Sequence, residues 1–240
     1  NDKKRLDTFV IDKEDIFFIP SSKSTSIRNK YFTADKEKRK CTCISQADPF
    51  TIDDIPDADS KIYHLAGLIY GDFDGELIKA LAKRGAVAVD VQAFLRHASG
   101  DNTEMYFEDW KEKKELLPYI TYFKTDAAEA EILTGQSDRK KAAEMFIEWG
   151  AKEVVITHNT EVLAYDGKTM ATCPIKARNL SGRSGRGDTT FAAYITERLN
   201  ADLENALLWA TATVSNKMEK VGPYKGNRAT IQAYIDKFYK

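Results

Sequence analysis

Apolar and polar positions alternate along this chain in two rhythms. Short apolar or β-branched runs at Ser60–Leu65, Ala86–Val91, Ile120–Lys124 and Glu153–Thr157 predict strands. Between them the apolar positions move to helical spacing. Asp74–Arg84 carries Leu77, Ile78 and Leu81 on one stripe and stops at Gly85; Trp110–Leu117 is broken by Pro118. Ala127–Leu133 ends at Gly135, and Arg139–Trp149 at Gly150. A hairpin follows, Val162–Tyr165 with Thr169–Cys173 around Asp166-Gly167, and then three helices at Thr189–Leu199, Leu203–Lys217 and Thr230–Phe238. Upstream, Tyr31–Thr33 and Cys41–Ile44 flank the charged turn Asp35–Lys40, while Leu6, Phe9 and Val10 suggest an amphipathic N-terminal helix. Strands separated by helices predict βαβ units and a mostly parallel sheet, hence an α/β fold in a single domain spanning residues 1–240.

Composition narrows the function classes. Of the 240 residues, 42% are hydrophobic, enough for a sizeable core, and 36 basic residues nearly cancel 37 acidic ones. No global field favours nucleic acid or an anionic membrane, and the mixed signs of Asp35–Lys40 read as a solvated turn. No apolar run is long enough to span a bilayer, and no secretory signal follows the charged start. Cys41, Cys43 and Cys173 form neither a zinc pattern nor an even disulfide framework, so a reduced, cytoplasmic protein is expected. His64 and His97 are isolated, and His158 reads as a loop residue.

The candidate chemistry is concentrated in Asn179–Ile195. Gly182, Gly185 and Gly187 lead straight into an amphipathic helix, and a glycine-rich turn before a helix N-terminus offers backbone N–H groups to an anion. The G-x-x-G-x-G order is not a dinucleotide fingerprint, and Asp188 stands where a P-loop has Lys. A carboxylate beside an anion cradle suits phosphoryl transfer, with Asp188 taking a proton from an attacking hydroxyl. The bland alternative makes Asp188 simply the helix N-cap. Arg186-Gly187-Asp188 also spells an adhesion tripeptide, which the absence of a secretion signal disfavours. Asp126 and Glu129, spaced i, i+3 at a helix start, could hold Mg²⁺ through water or only favour the helix dipole. Thr157 and Asn159 lie at a strand end, where ligands of open α/β sheets sit.

Taken in order, these stretches resemble the ribokinase-like (PfkB-type) carbohydrate kinase family. The family's Asp-Thr-x-Gly-Ala-Gly-Asp signature is similar to Gly182-Arg183-Ser184-Gly185-Arg186-Gly187-Asp188. Its Asn-x-x-Glu motif resembles Asp126-Ala127-Ala128-Glu129, and its Thr-x-Gly turn Thr157-His158-Asn159. Val89-Asp90-Val91-Gln92 resembles its Asp-x-Asn/Gln stretch, and the segment with Trp209, Ala210 and Thr211 resembles its adenine-lining helix. The resemblance implies a three-layer fold with a mostly parallel central sheet and a small β lid from about residues 25–45. It also implies ATP and Mg²⁺ as cofactors. Asp188 would be the base, Gly185, Arg186 and Gly187 the anion hole, and Glu129 the organiser of Mg²⁺. Asp126, Thr157, Asn159 and Thr211 would contact the nucleotide. The acceptor would be a small-molecule sugar, polyol or nucleoside, and the lid could also pair two copies.

Several departures qualify that picture. Gly182 replaces an Asp that helps hold a monovalent cation in the family, and Arg186 replaces a small residue, so its guanidinium is expected to supply the missing positive charge. Asp126 replaces Asn, and Asn159 and Val162 replace glycines of the nucleotide turn. The family's opening strand and its Gly-Gly element are not recognisable in this sequence, which reads as N-terminally incomplete. A catalytically silent nucleotide- or sugar-binding protein on the same fold is the alternative to a kinase.

Overall fold

The computed structural model describes residues 11–32 and 39–240. The elements run β1 (Ser26–Tyr31), β2 (Arg39–Ser45), β3 (Ile62–Leu65), α1 (Gly75–Leu81), β4 (Ala86–Asp90), α2 (Gln92–Leu95), β5 (Arg96–His97), β6 (Thr103–Glu104), β7 (Tyr106–Phe107), α3 (Lys113–Leu116), β8 (Tyr122–Asp126), α4 (Ala127–Thr134), α5 (Arg139–Glu148), β9 (Glu153–Thr157), β10 (Glu161–Tyr165), β11 (Met170–Pro174), α6 (Arg186–Arg198), α7 (Leu203–Met218) and α8 (Arg228–Phe238). Six strands form the central sheet in the order β11-β10-β9-β8-β4-β3. β3, β4, β8 and β9 pair in parallel, whereas β10 and β11 join antiparallel.

Alternation along the central strands sorts the core into two faces, which is what makes three layers. Val87 and Val89 of β4 and Val154 and Ile156 of β9 pack with Leu77, Ile78, Phe123, Ala142 and Phe146 on the side of α1, α4 and α5. Ala88 and Val155 point the other way, into Phe191, Tyr194, Ala206 and Leu207 of α6 and α7. Tyr194 and Arg198 both reach the buried carboxylate of Glu153 at the start of β9, which pins α6 to the sheet. His64, half-buried in β3, packs edge-on against Phe191, with ring centroids 4.9 Å apart.

β1 and β2 pair antiparallel, and β6 extends β2, giving the small β lid that the sequence led us to expect. Several boundaries differ. The predicted strand at Ile120–Lys124 is shifted to Tyr122–Asp126 because Leu117–Tyr119 forms a 3-10 turn carrying Pro118, and Ile120 closes it. That turn also shortens the predicted helix at 110–117 to Lys113–Leu116. Gly135, Gly150 and Gly167 stand at positive φ (71°, 113° and 84°) where the predicted punctuation fell. The expected helix around Leu6, Phe9 and Val10 and most of the charged turn at Asp35–Lys40 lie outside the described residues.

Candidate active site

Three parallel strands end at one place. Asp90 closes β4, Asp126 closes β8 and Thr157 closes β9, and all three line a cavity of about 460 Å³. This is where ligands collect in open α/β sheets, beyond the carboxyl ends of the strands. The facing wall is the loop at Arg183–Gly185 with the first turn of α6, and Ile27, Asn29 and Tyr31 of the lid border the same cavity.

The loop enters α6 through Gly185, whose left-handed conformation (φ 79°, ψ 18°) makes it the N-cap. Arg186, Gly187 and Asp188 are then the first three helical residues. The N-cap reading of Asp188 is therefore corrected: the carboxylate stands on the third helical residue, and no side chain caps the helix. A left-handed residue followed by a helical turn points successive N–H groups at one spot, and the helix dipole adds positive potential there. Gly187 brings the backbone down onto Lys124: a Cβ at Gly187 would stand 3.0 Å from Lys124 Nζ.

Lys124 is buried and donates to Asp90 Oδ2 at 2.8 Å, placing a paired ammonium beneath the anion cradle. Burial pushes its pKa down, but Asp90, Glu129 and Asp126 together leave it raised, so the charge persists. Asp90 Oδ1 also accepts from the N–H of Gln92, whose Nε2 donates to Gly67 O, so the strand end is rigidly tied.

Asp126 and Glu129 form a reciprocal capping box at the start of α4. Asp126 Oδ1 accepts from Glu129 N at 2.8 Å and Glu129 Oε2 accepts from Asp126 N at 2.9 Å. Asp126 borders the cavity; Glu129 is 2% exposed and does not. Its Oε1 lies 3.5 Å from Arg96 Nη2, and burial lifts its pKa to about 7 against the pull of Lys124. Glu129 thus holds Asp126 in place from behind. Among the described residues there is no cluster of three or more His, Cys, Asp or Glu side chains placed to hold a metal ion.

The cavity thus gathers Asp126, Thr157, Gly185, Arg186, Gly187 and Asp188 from the sequence-predicted set. It leaves aside Glu129, Asn159 and Thr211. Asn159 is exposed in the turn after β9, and Thr211 is buried in α7 with its hydroxyl donated to Leu207 O at 2.7 Å. The sequence reading missed Lys124 and Lys217. Both carried a signal: a lysine directly after Tyr122-Phe123 in a predicted strand, and a lysine on the buried stripe of α7 formed by Ala210, Val214 and Lys217 at i, i+4, i+7.

A protein-family model described as pfkB family carbohydrate kinase matches residues 17–229. The chain belongs to this family. A pyrophosphate-dependent kinase in the ribokinase family, solved as a sulfate complex, superposes with a TM-score of 0.79 at 34% identity, covering 85% of this chain and 73% of that one. A pyrophosphate-dependent kinase complexed with a pyrophosphate analog and myo-inositol gives 0.79 at 33% identity, covering 87% and 74%. The cytidine kinase of Thermococcus kodakarensis is 28% identical over 144 residues, 57% of this chain and 47% of that protein. The chain spans about half the length of that curated relative. No helix among the described residues is long and apolar enough to cross a membrane.

Proposed function

We propose that this pfkB-family chain transfers a phosphoryl group to a hydroxyl of a small sugar, polyol or nucleoside. One observation carries the reading: Asp188 and its neighbours Gly185, Arg186 and Gly187 at the start of α6 line the same cavity, at the ends of three parallel strands. An acceptor hydroxyl beside Asp188 gives up its proton as its oxygen attacks the terminal phosphorus. The bond from that phosphorus to the bridging oxygen breaks, and the leaving phosphate departs with the electron pair. The α6 amides stabilise the charge on the transferring group, and the buried Lys124 adds positive potential from below.

Pyrophosphate is the donor we favour. The two pyrophosphate-dependent kinases resemble the chain at 33–34% identity over most of its length. Thr211 and Asn159, expected to contact a nucleotide, lie outside the cavity, whereas Lys124, Arg183 and Arg186 border it. MgATP remains the second reading, supported by Thr157 at the strand end beside the cradle. Either donor would bring Mg²⁺ on its phosphates, to neutralise their charge, and Asp126 is the carboxylate placed to meet it through water.

The test is phosphate release from magnesium pyrophosphate, run beside ADP release from MgATP, over a panel of polyols, sugars and nucleosides. Acceptor-dependent release with one donor, abolished in Asp188→Asn, is the expected result. Release with neither donor, despite measurable binding, would favour the catalytically silent protein.

A further inference from the structure

The anion cradle contains a second buried ammonium that the mechanism above does not use. Lys217, 4% exposed near the C-terminal end of α7, donates to Gly182 O at 2.5 Å and also to Ser184 O. Those carbonyls belong to the loop that delivers Gly185 to the N-cap of α6. The same loop is stitched to the end of α7 by Gly182 N, which donates to Met218 O at 2.7 Å. Loop carbonyls and the carbonyl end of a helix therefore meet in one small volume, a region of negative potential that calls for a cation.

Lys217 also lies close to the reacting groups. A Cβ built at Gly185 would be 3.6 Å from Lys217 Nζ and 3.8 Å from Asp188 Oδ2, so one backbone position touches both. Burial holds the Lys217 pKa below the usual lysine value, and the Asp188 carboxylate offsets part of that fall. At Gly182 there is no space for any side chain, since a Cβ would stand 1.7 Å from Lys220 O. The approach of loop to helix leaves the ammonium as the group that meets both carbonyls.

We infer that Lys217 is a built-in cation of the cradle: its ammonium gathers the carbonyls of Gly182 and Ser184, fixes the loop that aims the α6 amides at the donor, and makes an added monovalent cation unnecessary. Lys217 is a positioning residue, acting through the loop rather than on the substrate. In this inference Lys217, rather than Arg186, supplies the charge behind the loop, and Arg186 lines the cavity wall. The inference rests on the phosphotransfer reading only for its kinetic consequence.

The experiment measures turnover of magnesium pyrophosphate and acceptor, and thermal unfolding, in potassium, ammonium or tetramethylammonium chloride at one ionic strength. Wild type is expected to turn over equally in all three. Lys217→Ala in tetramethylammonium is expected to lose about 10²-fold, the scale of losing one oxyanion donor, and to regain much of it with potassium or ammonium. Lys217→Gln, which keeps a donor without the charge, is expected to fold normally with a raised pyrophosphate KM. Wild-type turnover that requires potassium, or a Lys217→Gln enzyme with unchanged KM, overturns the inference. If wild type transfers no phosphoryl group at all, the functional reading fails and the melting arm decides alone. Potassium raising the Tm of Lys217→Ala by about 2–4 °C without moving that of wild type supports the built-in cation; no such difference overturns it.

Discussion

Lys124 Nζ, in the middle of β8, stands 2.8 Å from Asp90 Oδ2 at the end of the adjacent parallel strand β4, with both side chains almost wholly buried. Such a pair is held by mutual attraction against a large desolvation cost, so removing one partner leaves an uncompensated charge. Lys124→Met is expected to lose about 3–5 kcal/mol in urea unfolding. The double variant Asp90→Asn/Lys124→Met should recover part of that loss, because neither charge is then stranded. Turnover should remain low in both, since the ammonium below Gly187 is gone. A double variant no more stable than Lys124→Met would show that the pair is not what sets the cost.

Asp188→Asn separates the base from the cradle. The amide keeps the size of the side chain and leaves the α6 amides untouched, but it cannot accept the hydroxyl proton. Turnover is expected to fall by about 10²–10⁴-fold. Calorimetric binding of magnesium pyrophosphate should stay near wild type or tighten, because a negative charge beside the anion is removed. Equal losses in binding and turnover would instead mark Asp188 as a binding residue.

Gly182→Ala tests the close approach of loop and helix. The new Cβ would meet Lys220 O at 1.7 Å and Lys217 O at 2.8 Å, both backbone atoms that cannot rotate away. The loop must move, at a cost of about 1–3 kcal/mol by the scale of overpacked sites. Since the same loop places Gly185, the donor KM is expected to rise with the loss of stability. A stable Gly182→Ala enzyme with unchanged KM would mean that the loop is free to shift.

Much of this architecture was legible because its strands carry a simple pattern. Glu153–Thr157 is a β-branched run flanked by helical spacing, and the strand was found with its predicted limits. That Asp188, Gly185 and Gly187 would sit together at a helix start was legible for a local reason, the glycine spacing ahead of an amphipathic run. Asp126 and Glu129 were legible as a pair but not in their division of labour, because which carboxylate faces the cavity depends on how α4 leaves β8. Lys124 and Lys217 were missed because each is made important by a partner distant in sequence: Asp90 across the sheet, and the Gly182 carbonyl 35 residues before Lys217. Thr211 lies away from the cavity, with its hydroxyl donated to Leu207 O within its own helix.

Glu219 gives the acid limb of stability a specific origin. It follows α7 and accepts from Arg178 N at 3.0 Å, from Arg178 Nε at 2.8 Å and from the Tyr234 hydroxyl at 2.7 Å. Its own backbone carbonyl accepts from Ser181 Oγ, so this residue ties the approach to the cradle loop onto α7 and α8. The Arg178 side chain, opposed by burial and aided by the Arg178 N–H and Tyr234, lowers its pKa from 4.5 to about 2. A depressed carboxylate stabilises the fold fully above its unfolded value and loses that contribution as pH falls toward its folded value. Wild type should therefore exceed Glu219→Gln in stability at pH 7, and the gap should narrow between pH 4.5 and pH 2. Urea unfolding of both proteins at pH 7, 4 and 3 reads the gap directly. A constant difference across that range would assign the stabilisation to packing around Glu219 rather than to its charge.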